Sequence, residues 1–400
     1  MHSIPAYRPS ISWRALRRAL SGCMRGVRSG SSALHQGFEK AFAEYIGVSH
    51  AVSVPSARVG LFCILRQLDI PPGSEIIIPG FTFWVIPEVV AAAGFKPVYA
   101  DIDPATCNMA PSSVRDRITP RTAAILPTHL FGLPCPMEPL AEIARKHRVC
   151  VIEDCVQACG APSGRGRAGS SSDCAYFSFG ITKNISMLGG GMVTTNDNRT
   201  AEGIRRMRDG YANAGISGIL RSIMSASLMK LCTGQHAYSL FVHPAIRVLS
   251  FFVPGILERV FSEKEEGLQA CISRARLVPG AVQNVLGPIQ LGRLDGFIAA
   301  RRGIARLYFE GLRNAHGITL PSDSSDNVFT SFPIRTGDPG LLARALSGSG
   351  IGTSRGFMKA LGPDCPEAAG LEARILHLPI YPSMTREEAN SVIDAVRDAI

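Results

Sequence analysis

No window of this 400-residue sequence holds the 18 or more uninterrupted apolar residues of a membrane-crossing helix. The basic start, MHSIPAYRPSISWRALRRALSGCMRGVRSG, lacks an apolar core of signal-peptide length, so its arginines at 14, 17 and 18 are expected to decorate a solvated helix. Repeats of fixed period and low-complexity tracts are also missing, which sets aside solenoids and fibrous arrays. Eleven cysteines are scattered with no CxxC pair and no histidine partner at zinc spacing, so no metal site is expected. Their odd number, without a framework to join them, points to reduced thiols and a cytoplasmic protein. Charged residues make up only 18% of the chain against 46% apolar, which fits a globular protein and excludes general disorder. The net charge of +10 favours anionic partners: nucleotide diphosphates, phosphorylated cofactors or an acidic membrane surface. No nucleic-acid partner is expected.

The length suffices for one large α/β domain with a smaller companion. From about residue 50 to 200, β-rich runs (SEIIIPGFTF, KPVYADID, TAAILPTHL, VCVIEDCV, CAYFSF, GMVTTND) alternate with helical patterns (RVGLFCILRQL, VIPEVVAAAG, PLAEIARKH). Such alternation requires crossover connections, hence a mostly parallel central sheet with helices on both faces. From about 285 a long helix (GPIQLGRLDGFIAARRGIARLYFEGLRNA) leads into a strand-like VFTSFPIRT, a helix, HLPIYP and an amphipathic helix beginning TREEANSVIDAV, a smaller α+β domain. Four units result: an N-terminal helical segment (1–33), a large domain (34–211), an apolar and basic insertion (212–275), and the linking helix with the small domain (276–400).

Parallel sheets collect ligands at the carboxyl ends of their strands, so chemistry is sought just after each apolar run. Asp154 ends VCVIED, where an acid binds a cation, caps a helix or does acid/base work. Lys183 follows the next strand, boxed between an aromatic-rich run and Gly189 to Gly191 in YFSFGITKNISMLGGGM. A buried carboxylate across from a lysine suits pyridoxal phosphate: the amine bonds the aldehyde and the acid keeps the pyridine nitrogen protonated. Ser56, Ala57 and Arg58 open a helix whose free N–H groups and dipole favour a phosphate. Ser178 adds a hydroxyl to the same phosphate or is an ordinary strand serine. Phe83, in PGFTFW, stacks on a planar cofactor or packs in the core.

The order PSARVGL, PGFTF, PVYADID, THLFG, VIEDCVQACGA and FSFGITKN resembles the DegT/DnrJ/StrS-type sugar aminotransferases, fold-type I pyridoxal 5′-phosphate enzymes of the aspartate aminotransferase superfamily. The likeness runs from about Leu34 to Met207 and resumes from Gly287 in LGPIQLGRLDGFIAARRGIA and ILHLPIYPSMTREEANSVIDAV. It implies Lys183 as the Schiff-base lysine and Asp154 as partner of the pyridine nitrogen. It also implies Gln157 at the cofactor's phenolic oxygen, Phe83 over the ring, and Ser178, Ala57 and Arg58 at the phosphate. Related dehydratases carry histidine in place of the lysine, so transamination is expected, from an amino acid such as glutamate to a nucleotide-linked keto-sugar. His129, in THLFG, is a candidate near the substrate or a structural histidine. A homodimer with a shared active site is also implied.

Three departures stand out. Arg58 replaces a small hydroxyl residue of the family's SGTAAL. The family's NYR-type loop, which reaches the neighbouring subunit's cofactor phosphate, has no clear match, leaving Arg274 or Arg276 of SRARLVPGAVQN as substitutes. TSRGFMKAL stands where a His-Tyr-Pro segment is usual, with Arg355 as a substrate candidate. The insertion is longer than a simple loop, and its apolar run carries Arg221, Lys230, Arg247 and Arg259. Residues 218–261 are therefore expected to pack on a partner subunit, to touch a membrane peripherally, or to be disordered. Two rival readings follow: an aminotransferase acting on a lipid, polyketide or cyclitol ketone at a membrane surface, or a non-catalytic regulatory homologue.

Overall fold

The computed structural model describes residues 2–26, 32–164, 166–210, 216–252 and 280–400. The short apolar runs become strands β1 (His50–Val54), β2 (Glu75–Pro79), β3 (Phe81–Phe83), β4 (Lys96–Ala100), β5 (Thr122–Ile125), β6 (Cys150–Asp154), the hairpin β7 (Pro162–Ser163) and β8 (Gly166–Arg167), β9 (Cys174–Ser178) and β10 (Gly191–Thr195). Seven of them form one sheet in the order β1-β10-β9-β6-β5-β2-β4. Strands β4, β2, β5, β6 and β9 pair in parallel, and β10 runs antiparallel to both its neighbours.

Alternate residues of these strands serve two cores, as the period of two requires. Ile76, Ile78, Ile152, Tyr176 and Val193 pack with α3 (Ala57–Gln67), α4 (Val85–Ala92) and Ile204 of α7 (Asn198–Asp209). Ile77, Ile125 and Val151 face Val114 of α5 (Pro111–Arg117) and Leu140 of α6 (Met137–His147). Ala175, Phe177 and Met192 instead meet α1 (Trp13–Gly26) and α2 (Ser32–Ile46). The mostly parallel, two-sided sheet expected from the alternating runs is present; β1, α5 and α7 add to the elements read from the sequence.

Next come the insertion helices α8 (Ile216–Cys232), α9 (Gln235–Ala237), a π-helical turn at Tyr238–Val242, and α10 (His243–Phe252). The single long helix expected from residue 287 is instead two, α11 (Gly280–Leu291) and α12 (Leu294–Leu312). Gly292 and Arg293 separate them, and Pro288, which donates no backbone hydrogen bond, sits inside α11. The small domain has an antiparallel sheet of β11 (Ile318–Thr319), β12 (Phe332–Thr336) and β14 (Ile375–Leu378). Its core joins α12, α13 (Pro339–Gly348) and α15 (Arg386–Ala399), the last opened by a capping box of Thr385 and Glu388. Strand β13 (Met358–Ala360), followed by α14 (Pro366–Arg374), leaves this domain to pair with β3, setting Met358 opposite Phe83.

Residues before α1 are not helical as the sequence suggested. Pro5 and Pro9 withhold the N–H groups a helix needs, and the segment runs as an arm. Ile4 bridges Ile351 of the small domain, its N–H donating to Gly350 O at 2.8 Å while Gly352 N–H donates back to Ile4 O at 2.7 Å. Tyr7 donates its hydroxyl to the carbonyl of Ile181, and Arg8 pairs with Glu388 at 3.2 Å. The arm also meets the insertion: Ser3 N–H donates to Ser239 Oγ at 2.8 Å.

Candidate active site

Asp154 is the last residue of β6 and only 4% exposed. Its Oδ1 accepts the Val156 N–H at 3.0 Å, while Oδ2 has just the Thr128 hydroxyl at 3.5 Å. The buried Tyr176 hydroxyl lies against the same carboxylate without a well-formed hydrogen bond. Burial raises the Asp154 carboxyl above its ordinary value, outweighing the pull of Val156, Tyr176, the Lys183 ammonium and His129. The result is a buried acceptor with room for one more donor, preferably a cationic one.

Lys183 lies in the turn after β9, its N–H donating to Gly180 O at 3.0 Å, and its ammonium acts directly on Asp154. The following loop is braced from several sides. Met187 N–H donates to Phe179 O at 2.9 Å, Asn184 accepts the Thr330 hydroxyl at 3.0 Å, and Gln290 of α11 donates to Ser186 O at 2.9 Å. Gly190 has a left-handed φ of 87° and would place a Cβ inside the Gln283 amide. At Gly191 a Cβ would stand 2.6 Å from Phe177 O and 2.8 Å from Ala57 N, so only glycine lets β10 lie this close to the start of α3.

The start of α3 is capped by Ser56, whose Oγ accepts the Val59 N–H at 3.3 Å. Arg58 extends from the first turn to place its guanidinium 5.4 Å from the centre of the Phe83 ring, a cation–π contact. Ser178 ends β9 beside this turn, with Gly180 between its hydroxyl and the Lys183 stem. Gln157 is buried next to Asp154: its Oε1 accepts the Phe131 N–H at 3.0 Å, and its amide faces Met358 Sδ at 3.8 Å. Lys183, Asp154, Gln157, Ser178, Ser56, Ala57, Arg58 and Phe83 thus gather around the ends of β3, β6 and β9.

Two candidates are not brought to that place. His129 is fully buried; its Nε2 meets Glu153 Oε2 at 2.8 Å and its Nδ1 accepts the Cys135 N–H at 2.9 Å. With both nitrogens used inside the protein it has no face for a substrate, and it is a structural histidine. Arg355 donates to the carbonyls of Glu372 and Ala373 at 2.7 and 3.4 Å, closing the end of α14. Arg274 and Arg276 lie outside the described residues. Tyr176 was missed by sequence reasoning, although it stands two residues before Ser178 on one strand face. Cys155, beside Asp154, is no nucleophile: burial pushes its thiol up to about 12.

The DegT/DnrJ/EryC1/StrS aminotransferase family profile matches residues 17–222 and 280–397. The chain belongs to this family. Among its relatives, a GDP-perosamine synthase of Caulobacter vibrioides is 43% identical over 171 residues, 43% of this chain and 46% of that protein. A dTDP-3-amino-3,4,6-trideoxy-alpha-D-glucose transaminase of Streptomyces venezuelae is 31% identical over 378 residues, 91% of this chain and 86% of its own length. The solved structure of S. venezuelae DesV in complex with a ketimine intermediate superposes with a TM-score of 0.77 at 28% identity, covering 100% of this chain and 98% of its own. The chain is therefore an aminotransferase with the family's α/β fold, and the two matched blocks flank residues 223–279.

Proposed function

We propose that the protein is a pyridoxal 5′-phosphate-dependent aminotransferase that moves an amino group from glutamate to the ketone of a nucleotide-linked sugar. The observation that carries this reading is the buried, under-partnered Asp154 set against Lys183. The residues present fit the cofactor. Asp154 would take the ring nitrogen, Gln157 the phenolic oxygen, Phe83 a ring face and Lys183 Nζ the aldehyde carbon. Ser56, Ala57, Arg58 and Ser178 would hold the phosphate at the N-terminus of α3. When bound, the group supplies a carbonyl that accepts amines and a ring that withdraws electron density from the substrate carbon.

The protein's part follows from its own groups. A carboxylate in a dry site favours a proton on the nitrogen facing it, because that cation offsets the cost of burying the anion. Lys183 Nζ, on a turn that Gly180 leaves open, takes a proton from the donor's α-carbon and returns one to the sugar carbon that gains the amine. The Arg58 guanidinium adds a fixed positive charge with two parallel donors, suited to phosphate oxygens. The relatives' names, which include GDP- and dTDP-linked sugars, support a nucleotide-linked substrate. The assembly proposed is a homodimer in the cytoplasm, with the site completed across the interface.

The test has two stages. Borohydride reduction of the cofactor-loaded protein should fix the label on Lys183, read by peptide mass. Glutamate with a panel of GDP-, dTDP- and UDP-linked keto-sugars should then give 2-oxoglutarate and an amino sugar. A label on another lysine overturns the site. Amination of free or lipid-linked ketones alone overturns the substrate class.

A further inference from the structure

The face built by α1, α8 and α10 belongs to no part of the site. Large apolar side chains exposed to solvent concentrate there among the described residues. Leu220, Met224, Leu228 and Leu231 follow one another at helical spacing, a single stripe along α8, with Met224 68% exposed. Leu240 and Phe241 on the π-helical turn, and Val248 and Leu249 on α10, which packs on that turn, are exposed as well, Phe241 being 72% exposed. On α1, which packs against α8, Trp13 and Leu20 are exposed, and the Lys230 ammonium lies 5.9 Å from the centre of the Trp13 ring. A soluble protein rarely exposes so many large apolar side chains on helices adjacent in sequence unless something covers them.

The charge says what. No carboxylate precedes Glu39, and none lies between Asp209 and Glu258. These two stretches hold nine arginines and lysines, nearly the whole of the net charge of +10. Arg14, Arg17, Arg18, Arg221 and Arg247 are exposed beside the apolar residues. Burial, then Arg8 and Arg293, hold the Lys230 amine below the ordinary lysine value. A second copy docking through the same face would set this unbroken positive charge against itself, which an isologous contact cannot relieve. An anionic lipid surface satisfies both features, apolar side chains entering the acyl boundary and arginines meeting phosphates. The interfacial preference of tryptophan fits Trp13 at the rim. No described helix is long and apolar enough to cross a membrane, so these helices would lie on it.

We propose that the α1–α8–α10 face docks the enzyme onto an anionic bilayer. The flanking of 223–279 by the two family-matched blocks makes most of this surface an addition to the aminotransferase fold. The proposal stands independently of which ketone is aminated.

Cosedimentation of the full-length holoenzyme with phosphatidylglycerol vesicles and with neutral phosphatidylcholine vesicles tests it. The protein should pellet with the anionic vesicles at low salt and be released at high salt. Each basic residue near the surface is worth about fivefold in partitioning, so R14Q/R17Q/R18Q/R221Q should bind at least a hundredfold more weakly. M224D/L228D should abolish binding while melting temperature and aminotransferase activity in solution are retained, since both side chains are exposed. Protein left in the supernatant with every vesicle, or equal pelleting of wild type and both variants, would overturn the proposal. So would M224D/L228D converting an oligomer to a monomer by sedimentation velocity, which would assign the face to a second copy.

Discussion

Replacing Asp154 by asparagine separates what this carboxylate does for the reaction from what it does to the fold. In the apoprotein Asp154 is buried, one oxygen has a good donor and the other only a long contact with Thr128. Burial raises its carboxyl, so the native state holds this proton more tightly than the unfolded chain does. The sign follows. Below the ordinary carboxylate range Asp154 is protonated in both states and costs nothing. As pH rises through the raised native value the buried charge forms, and the stability associated with the proton is lost. The substituted amide has no charge to bury and keeps an oxygen for the Val156 N–H. D154N should therefore stabilise the apoprotein at neutral pH by about 1–3 kcal/mol, the scale of a poorly partnered buried polar group. For a chain of this size that is a rise of roughly 1–4 °C in Tm. The gap should close in acid. Function should move the other way: with no anion facing the ring nitrogen, kcat should fall by about a hundredfold or more. The assay is a pair of thermal melts, apo and cofactor-loaded, across pH, alongside glutamate half-reaction rates. An apo D154N that melts below wild type at neutral pH, or that keeps its kcat, would refute the account of this site.

Three further outcomes are expected. Gly191→Ala would push a Cβ onto the backbones of Phe177 and Ala57, costing about 1–3 kcal/mol and weakening cofactor affinity in an absorbance titration; wild-type affinity would deny the close approach of β10 to α3. His129→Ala would strip the buried Glu153 of its imidazole partner, leaving it the Gly169 N–H, and destabilise the fold by about 3–5 kcal/mol in urea melts, while the activity of the protein that remains folded stays near wild type; a selective loss of kcat would return His129 to the reaction. Arg58→Thr should reduce the preference for pyridoxal phosphate over pyridoxal, measured as a ratio of dissociation constants; an unchanged ratio would show that this guanidinium serves something other than the cofactor phosphate.

The sheet was legible because parallel strands buried on both faces must be continuous apolar runs, and each was bounded by a helical pattern. Asp154, Lys183 and Ser56 were legible for a related reason: each interrupts apolar patterning at a strand end, where a polar residue needs a purpose. Tyr176 was not, because a tyrosine inside a strand reads as core, and nothing local reveals that its hydroxyl meets a carboxylate from β6. His129 could be read either way from the sequence. A histidine just past a strand looks the same whether its ring turns to the cleft or beneath it, and only the Glu153 and Cys135 partners decide. The break between α11 and α12 was hidden by apolar spacing that continues through Gly292 and Arg293. The arm before α1 was misread because basic residues were weighed and the two prolines were not.

That arm has a consequence for the order in which the molecule is made. Two of its contacts reach far along the sequence: Ile4 bridges Ile351, and Arg8 bonds Glu388, 380 residues away. A nascent chain can close the large sheet while still being extended, but these two contacts must wait until residues 351 and 388 have emerged. Contacts of such separation form late and slowly. Tyr7, on the same arm, is tied to the carbonyl of Ile181, two residues before Lys183. The turn that carries Lys183 therefore leans on an arm whose other anchors form only after residue 388 has been made, so a shorter nascent chain would hold Asp154 and Lys183 before that arm is fully seated.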